Sequence, residues 1–367
     1  MTNVVQDCDF SNHHFFVGID VHRKSWKVTV RTAYHELATF SADPSPEALA
    51  RHMRRTYPQG TYHSVYEAGF SGFWIHEELK ALGIDTCVVH PADVPTTGKE
   101  RAFKTDKRDS RKLARELASG SLKPLYVPSE EAQALRSLSR LRQKMVSHQT
   151  RLKNRIKGLC YFYGHHLPPH HELAHWSRRF ITHLEEMAAR FEDERRLVFT
   201  HLLEELDAVR VRKLQLIREL RQALYERAPG VMASLLSVPG VGFVTAATLY
   251  CELIDIERFS SRDKLCSYVG LVPSTADSGP RTRHGGITVR HNTYVRAMLI
   301  EASWTAVRKD PALTEAFLDL AQRMPRNQAI IRIARKLLNR IRHVWKNGCR
   351  YEVSVKAGSP LSPPVPA

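Results

Sequence analysis

At 367 residues and 43% hydrophobic content, the chain is long enough for two or three domains with cores of their own. A formal net charge of +17 points to a polyanionic partner, and basic residues spread over several segments speak against a single membrane-surface anchor. The six cysteines include no CxxC pair, which excludes a zinc ribbon or a dithiol redox motif. Residues 1–13 read as a loose leader without a secretory pattern. No apolar run approaches the ~20 residues of a membrane helix, and a reducing cytoplasm is expected.

Strands are predicted at 14–20, 25–31 and 35–40, with connections short enough for antiparallel neighbours. In the first, FFVGID, Gly18 allows close approach of other chain or of substrate, and Asp20 ends the strand where an open sheet presents its ligands. Ser45 and Pro46 open a helix. TYHSVYE forms a fourth strand ending at Glu67, GFWIHEELKALG a helix stopped by Gly83, and IDTCVVHP a fifth strand. This βββαβα order is that of a ribonuclease-H-like domain with a mixed sheet.

Composition then shifts: residues 99–157 hold 17 Lys and Arg against 6 Asp and Glu. KTDKRDSRKLARELA is helical, and its Asp106 and Asp109 lie three apart, on one face, ~5–6 Å between their Cβ atoms. Like charges that close need a cation between them, from neighbouring Lys and Arg or from Mg²⁺. From about 129 to 228 the chain is helical, with a stripe through Leu135, Leu138, Leu141, Met145, Leu152, Ile156 and Leu159. This predicts a coiled coil or long hairpin that separates two domains and joins copies into a dimer or tetramer. HELAH at 171–175 matches the zincin pattern with His171, Glu172 and His175. It is rejected, because no third ligand follows and a chain with 19 His produces such matches by chance.

VPGVGFVTAATL reads as a helix-hairpin-helix turn, in which Gly240 and Gly242 free backbone N–H groups for a phosphate; a plain helical turn is the alternative. Residues 273–287 are expected to be an irregular loop, the kind of segment where chemistry sits. A basic amphipathic helix follows at IIRIARKLLNRIRHVWKNG, then a Pro-rich disordered end. The division expected is 1–13 leader, 14–125 catalytic domain, 126–228 helical segment, 229–350 C-terminal domain and 351–367 tail.

VGIDVHRKSW, YEAGFSGFWIHEEL, VVHPADV, KTDKRDSRKLA, VPGVGFVTAATL, YVGLVPSTADSG and GGITVRHN together resemble the DEDD transposases of bacterial insertion sequences, relatives of the Piv invertase. The resemblance runs from about 14 to 350. It implies an α/β plus α architecture: a RuvC-like domain, a coiled-coil insertion and a mainly helical C-terminal transposase domain. It places the family's acids on Asp20, Glu67, Asp106 and Asp109, and its serine on Ser278. It also implies a bacterial, nucleoid-associated protein and a structured non-coding guide RNA that pairs with donor and target DNA. One departure is His291, where the pattern more often has glycine before Asn292.

Four such carboxylates can hold two Mg²⁺ ions ~4 Å apart astride a phosphate. In this expectation Ser278 attacks DNA and forms a phosphoserine link, with Ser274 as the competing nucleophile. Arg281, Arg283 and His284 hold phosphates beside it, and Lys104, Lys107 and Arg108 beside the acids. The alternatives are a RuvC-like nuclease in which water attacks, and a nucleic-acid-binding scaffold without catalysis.

Overall fold

The computed structural model of the chain describes residues 9–96, 105–278, 281–287 and 291–353, with backbone alone for 273–278 and 281–287. It divides into two compact units, residues 1–127 and 128–367.

The first unit is built on a five-stranded mixed sheet. Its strands are β1 (His14–Val21), β2 (Trp26–Arg31), β3 (Glu36–Ala42), β4 (Thr61–Glu67) and β5 (Asp85–Val89), in the order β3-β2-β1-β4-β5. β1, β2 and β3 pair antiparallel; β4 and β5 run parallel to β1. Short turns join the first three strands. The parallel pairs need crossovers, supplied by α1 (Pro46–Thr56) and α2 (Trp74–Ala81). Ser45 caps α1 by accepting from the Ala48 N–H, with Pro46 in the first turn. Alternation along β1 buries Phe15, Val17 and Ile19 with Trp26, Val28, Met53, Ile75 and Leu79. The opposite face is covered by α3 (Asp106–Ala118), whose Leu113 packs with Val65, Val89 and Val94. Residues 9–13 are less loose than expected: Phe10 packs edge-on against Phe15 and Tyr57, and the Thr61 N–H donates to the His13 carbonyl.

Among its described residues the second unit is helical apart from one antiparallel pair of strands. Two long helices, α4 (Glu130–Phe162) and α6 (Glu194–Arg227), pack along each other, with α5 (Arg178–Ala189) between them in sequence. Ser129, Ser177 and Asp193 cap the three N-termini. One core, around Ile156, Phe180, Phe199 and Leu206, lies at the α5 end of the pair. A larger one takes Leu135, Leu220 and Leu224 from their other ends. Leu141, expected in the buried stripe, is 45% exposed.

The remaining elements are α7 (Pro229–Leu236), α8 (Phe243–Leu253), α9 (Arg262–Val269), β6 (Pro273–Ser278), β7 (Arg281–Ile287), α10 (Thr293–Lys309), α11 (Pro311–Ala321) and α12 (Arg326–Asn347). The basic helix expected near the C-terminus is α12, and it buries Ile330, Ile333, Leu337 and Ile341. One expectation fails here. Residues 273–287 are not an irregular loop: β6 and β7 pair as an antiparallel ribbon, with a register shift between Pro273 and Thr275. The ladder is satisfied strand to strand, which a segment poor in apolar alternation does not advertise. The Pro-rich end from 354 lies outside the described residues.

Candidate active site

Asp20 and Glu67 arrive from neighbouring parallel strands. The register Ile19↔Tyr66 sets the residues that follow at one edge of the sheet. Asp106 and Asp109 arrive on the first turn of α3, where carboxylates also favour the positive end of the helix dipole. Gly18 lets that helix come close. A Cβ at Gly18 would stand 2.1 Å from the Ser110 carbonyl oxygen and 2.4 Å from the Ala114 nitrogen. The buried Ser110 hydroxyl, 2.9 Å from Thr29 Oγ1, fixes α3 to β2.

The four acids therefore gather at one place, as two pairs, each bridged by a basic side chain. His22 Nε2 lies 3.2 Å from Asp20 Oδ2 and 3.4 Å from Asp106 Oδ2. Lys112 Nζ lies 3.5 Å from Glu67 Oε1 and 3.6 Å from Asp109 Oδ1. Lys112 is 8% exposed, so the ion pairs it makes are poorly screened. Burial pushes the Asp20 carboxyl above its ordinary value. His22 opposes that shift, and the negative charges of Asp106 and Asp109 add to it.

The residues fit a divalent cation. Asp20, His22 and Asp106 bring ligand atoms within 4.8 Å of one another. The hard carboxylate oxygens suit Mg²⁺ or Mn²⁺, whereas the imidazole nitrogen is a softer ligand than Mg²⁺ favours. A bound cation would offset the desolvation and like-charge repulsion that raise the Asp20 carboxyl. Sequence reasoning does not single out His22 or Lys112. The signal for each is spacing: His22 stands two past Asp20, on the same side of an extended chain, and Lys112 three past Asp109 on a helix.

The other expected residues are placed as follows. Lys107 and Arg108 are exposed on α3, while Lys104 lies outside the described residues. Ser278 ends β6 and pairs with Arg281; Arg283 pairs with Ala276, and His284 with Thr275. Ser274 falls within the register shift. The ribbon is held at its base. The Asn292 N–H donates to the Tyr268 carbonyl, Asn292 Oδ1 caps α10, and Asn292 Nδ2 donates to Glu252 Oε2 at 2.9 Å. Glu252 is 1% exposed and accepts a two-pronged contact from Arg140 at 2.7 and 2.8 Å.

At the α7–α8 turn Gly240 has φ +83°, and a Cβ there would stand 2.2 Å from the Ala302 carbonyl oxygen, so α10 packs directly on its backbone. Gly242, at the start of α8, faces open space. HELAH lies in turns rather than on a helix; His175 contacts the Pro168 carbonyl and Lys157. Among the described residues no helix is long and apolar enough to cross a membrane.

Comparison with known proteins places the chain in a family. Residues 17–163 match the sequence model of the DEDD transposases of IS110 type, which covers the acids. Residues 232–318 match the transposase IS116/IS110/IS902 family, which covers the ribbon. A Sinorhizobium fredii protein named as transposase y4rJ is 30% identical over 366 residues, 88% of this chain and 89% of that one. The transposase for insertion sequence element IS1111A of Coxiella burnetii is 26% identical over 285 residues, 74% of each. With both family models matched in order and a 30% identical relative covered over most of its length, the chain belongs to the IS110 family of insertion-sequence transposases.

Proposed function

We propose that the protein cuts and rejoins DNA by metal-dependent phosphoryl transfer with Ser278 as nucleophile. The observation that carries this reading is the meeting of Asp20, Glu67, Asp106 and Asp109 at one sheet edge, tied through His22 and Lys112. Asp20 and Asp106, with Glu67 and Asp109 beside them, would hold Mg²⁺, two ions in the full site. When bound, the metal supplies charge stabilisation for the phosphoryl oxygens and the leaving oxygen.

The chain's own residues do the rest. Ser278 ends β6, with Arg281 paired to it and Arg283 two residues on, and guanidinium is the group suited to holding a phosphate. The Ser278 Oγ–P bond forms as the P–O bond to a deoxyribose oxygen breaks, and the hydroxyl proton passes overall to that oxygen. One ester replaces another, so the bond energy is kept for rejoining. Ser278 is preferred to Ser274 because Gly279 follows it and because Ser274 stands where the ladder loses register.

Lys107 and Arg108 on α3, Lys104 before it, and the turn at Gly240 and Gly242, read as a helix-hairpin-helix, contact nucleic acid. The partners are donor and target DNA and a structured guide RNA; the family resemblance and the net charge of +17 support the latter. The α4–α6 pair acts as a coiled coil through which copies assemble.

The test uses suicide DNA substrates with Mg²⁺. Asp106→Asn abolishes cleavage and keeps DNA binding. Ser278→Ala binds DNA but forms no covalent adduct. Mass spectrometry of the digested wild-type adduct finds a nucleotide on Ser278. A nucleotide on Ser274, or cleavage with no adduct, overturns the assignment.

A further inference from the structure

α6 buries one face against α4 and α5 through Phe199, Leu202, Leu206, Val209, Leu216 and Leu220. A second stripe runs roughly 130° around the helix from that face. Its positions from 197 to 225 alternate spacings of three and four, the seam of a coiled coil, and every one is exposed. Four carry large apolar side chains in water: Leu197 at 59% exposure, Val211 at 58%, Leu214 at 54% and Tyr225 at 44%. A solvated helix face has no need of them. The others along the stripe include two acids, Glu204 and Asp207, before the centre and two arginines, Arg218 and Arg221, after it.

We propose that this stripe is the seat of a second copy of the chain, its α6 lying antiparallel across a two-fold axis between residues 212 and 213. The proposal rests on the assembly reading above and specifies its surface, partner and register. An antiparallel seam sets each position against its reflection through the axis. Val211 then meets Leu214 of the other copy, and Leu214 meets its Val211. The next layers pair Asp207 with Arg218, Glu204 with Arg221, and Thr200 with Tyr225, each twice by symmetry. Every charged layer is a complementary one.

The parallel arrangement is decided against by the same residues. It would stack Glu204, Asp207, Arg218 and Arg221 each on its own copy, four like-charge layers in succession, whereas charge at seam positions selects partner and orientation. Intramolecular contacts leave the seam intact. Lys213, beside the axis, turns away to Gln149 Oε1 at 2.7 Å. Glu204 keeps His201 at 3.4 Å, and Arg221 lies over Phe243. With polar layers outnumbering apolar ones, the seam sets orientation and register more than it adds affinity. It weakens as salt is raised.

The experiment uses the full chain, with light scattering after size-exclusion chromatography across a concentration series, with and without duplex DNA. Asp207→Arg and Arg218→Asp alone each weaken assembly about tenfold or more, because each sets like charges face to face twice. The double variant Asp207→Arg/Arg218→Asp returns to about the wild-type value. Circular dichroism of each variant confirms unchanged helicity. Separately, Val211→Cys/Leu214→Cys oxidises to a covalent dimer whose linkage maps between positions 211 and 214. Val198→Cys, exposed but off the stripe, yields no such dimer. If the single variants assemble like wild type and no 211–214 linkage forms, the seam is wrong while assembly stands. If the chain stays monomeric at every concentration with DNA present, assembly and seam both fall.

Discussion

Replacing Gly18 with alanine tests how the acids are brought together. The added Cβ would stand 2.1 Å from the Ser110 carbonyl oxygen and 2.4 Å from the Ala114 nitrogen, where ordinary contact begins at 3.4 Å. Both are backbone atoms of α3, so no side chain can swing aside. The helix must withdraw by about 1 Å or the strand must bend, an overpacking cost of about 1–3 kcal/mol. For a unit of this size that corresponds to a fall of roughly 5–15 °C in melting temperature. The catalytic effect is larger in proportion. Asp106 and Asp109 ride on α3 while Asp20 and Glu67 belong to the sheet, so the shift opens the site between its halves. A displacement of about 1 Å is worth roughly a hundredfold in rate. The assay pairs a melting curve with strand cleavage on DNA. Gly158→Ala is the control of opposite sign: it lies within α4 with nothing within 4 Å of its added Cβ, and should stabilise by about 0.5–1 kcal/mol. A Gly18→Ala protein with the wild-type melting temperature and full cleavage would refute the close-approach argument.

Two other outcomes follow from charge. Burial and the neighbouring acids raise the Asp20 carboxyl above its ordinary 3.8, so the fold favours its protonated form. That contribution is present below about 3.8 and is lost as pH rises through the raised value. Asp20→Asn, measured without divalent cations, should therefore melt above wild type at pH 7–8, with the gain vanishing towards pH 3; a gain that grows on acidification would contradict it. Glu252→Ala removes the buried acceptor shared by Arg140, Arg136 and Asn292. Because Arg140 is 43% exposed and stays solvated, the cost should be about 1–3 kcal/mol in a denaturant titration, and a loss below about 0.5 kcal/mol would show that the buried carboxylate is not holding the base of the ribbon.

Much of the first unit can be read from residue order. Strands of period two, a Ser-Pro helix start and turn glycines are local signals, and β1 to β5 follow them. Spacing alone puts Asp106 and Asp109 on one helix face; the four acids are named as a set only by the family resemblance. What binds them is not: His22 and Lys112 matter only once β1, β4 and α3 converge, and Gly18 announces an approach without naming α3 as what approaches. The ribbon at 273–287 is missed because its order comes from pairing across strands, and PSTADS and RTRHGGI lack the alternation that local reading needs. Leu141 shows the reverse error, since a periodic leucine is not thereby a buried one.

The two long helices have a mechanical consequence. Each takes part in two separate hydrophobic cores, α4 through Leu135 at one end and Leu152 and Ile156 at the other, α6 through Leu220 and Leu224 and through Phe199 and Leu206. Between the cores the pair is stiffened by polar ties, His148 to Glu205 at 3.0 Å and Lys213 to Gln149 at 2.7 Å. Such a pair is a lever about 50 Å long, clamped near its fulcrum where Arg140 grips Glu252 and Glu252 grips Asn292. A load applied at the far end, beside His175 and Trp176, would arrive as torque at the root of the strand that ends in Ser278.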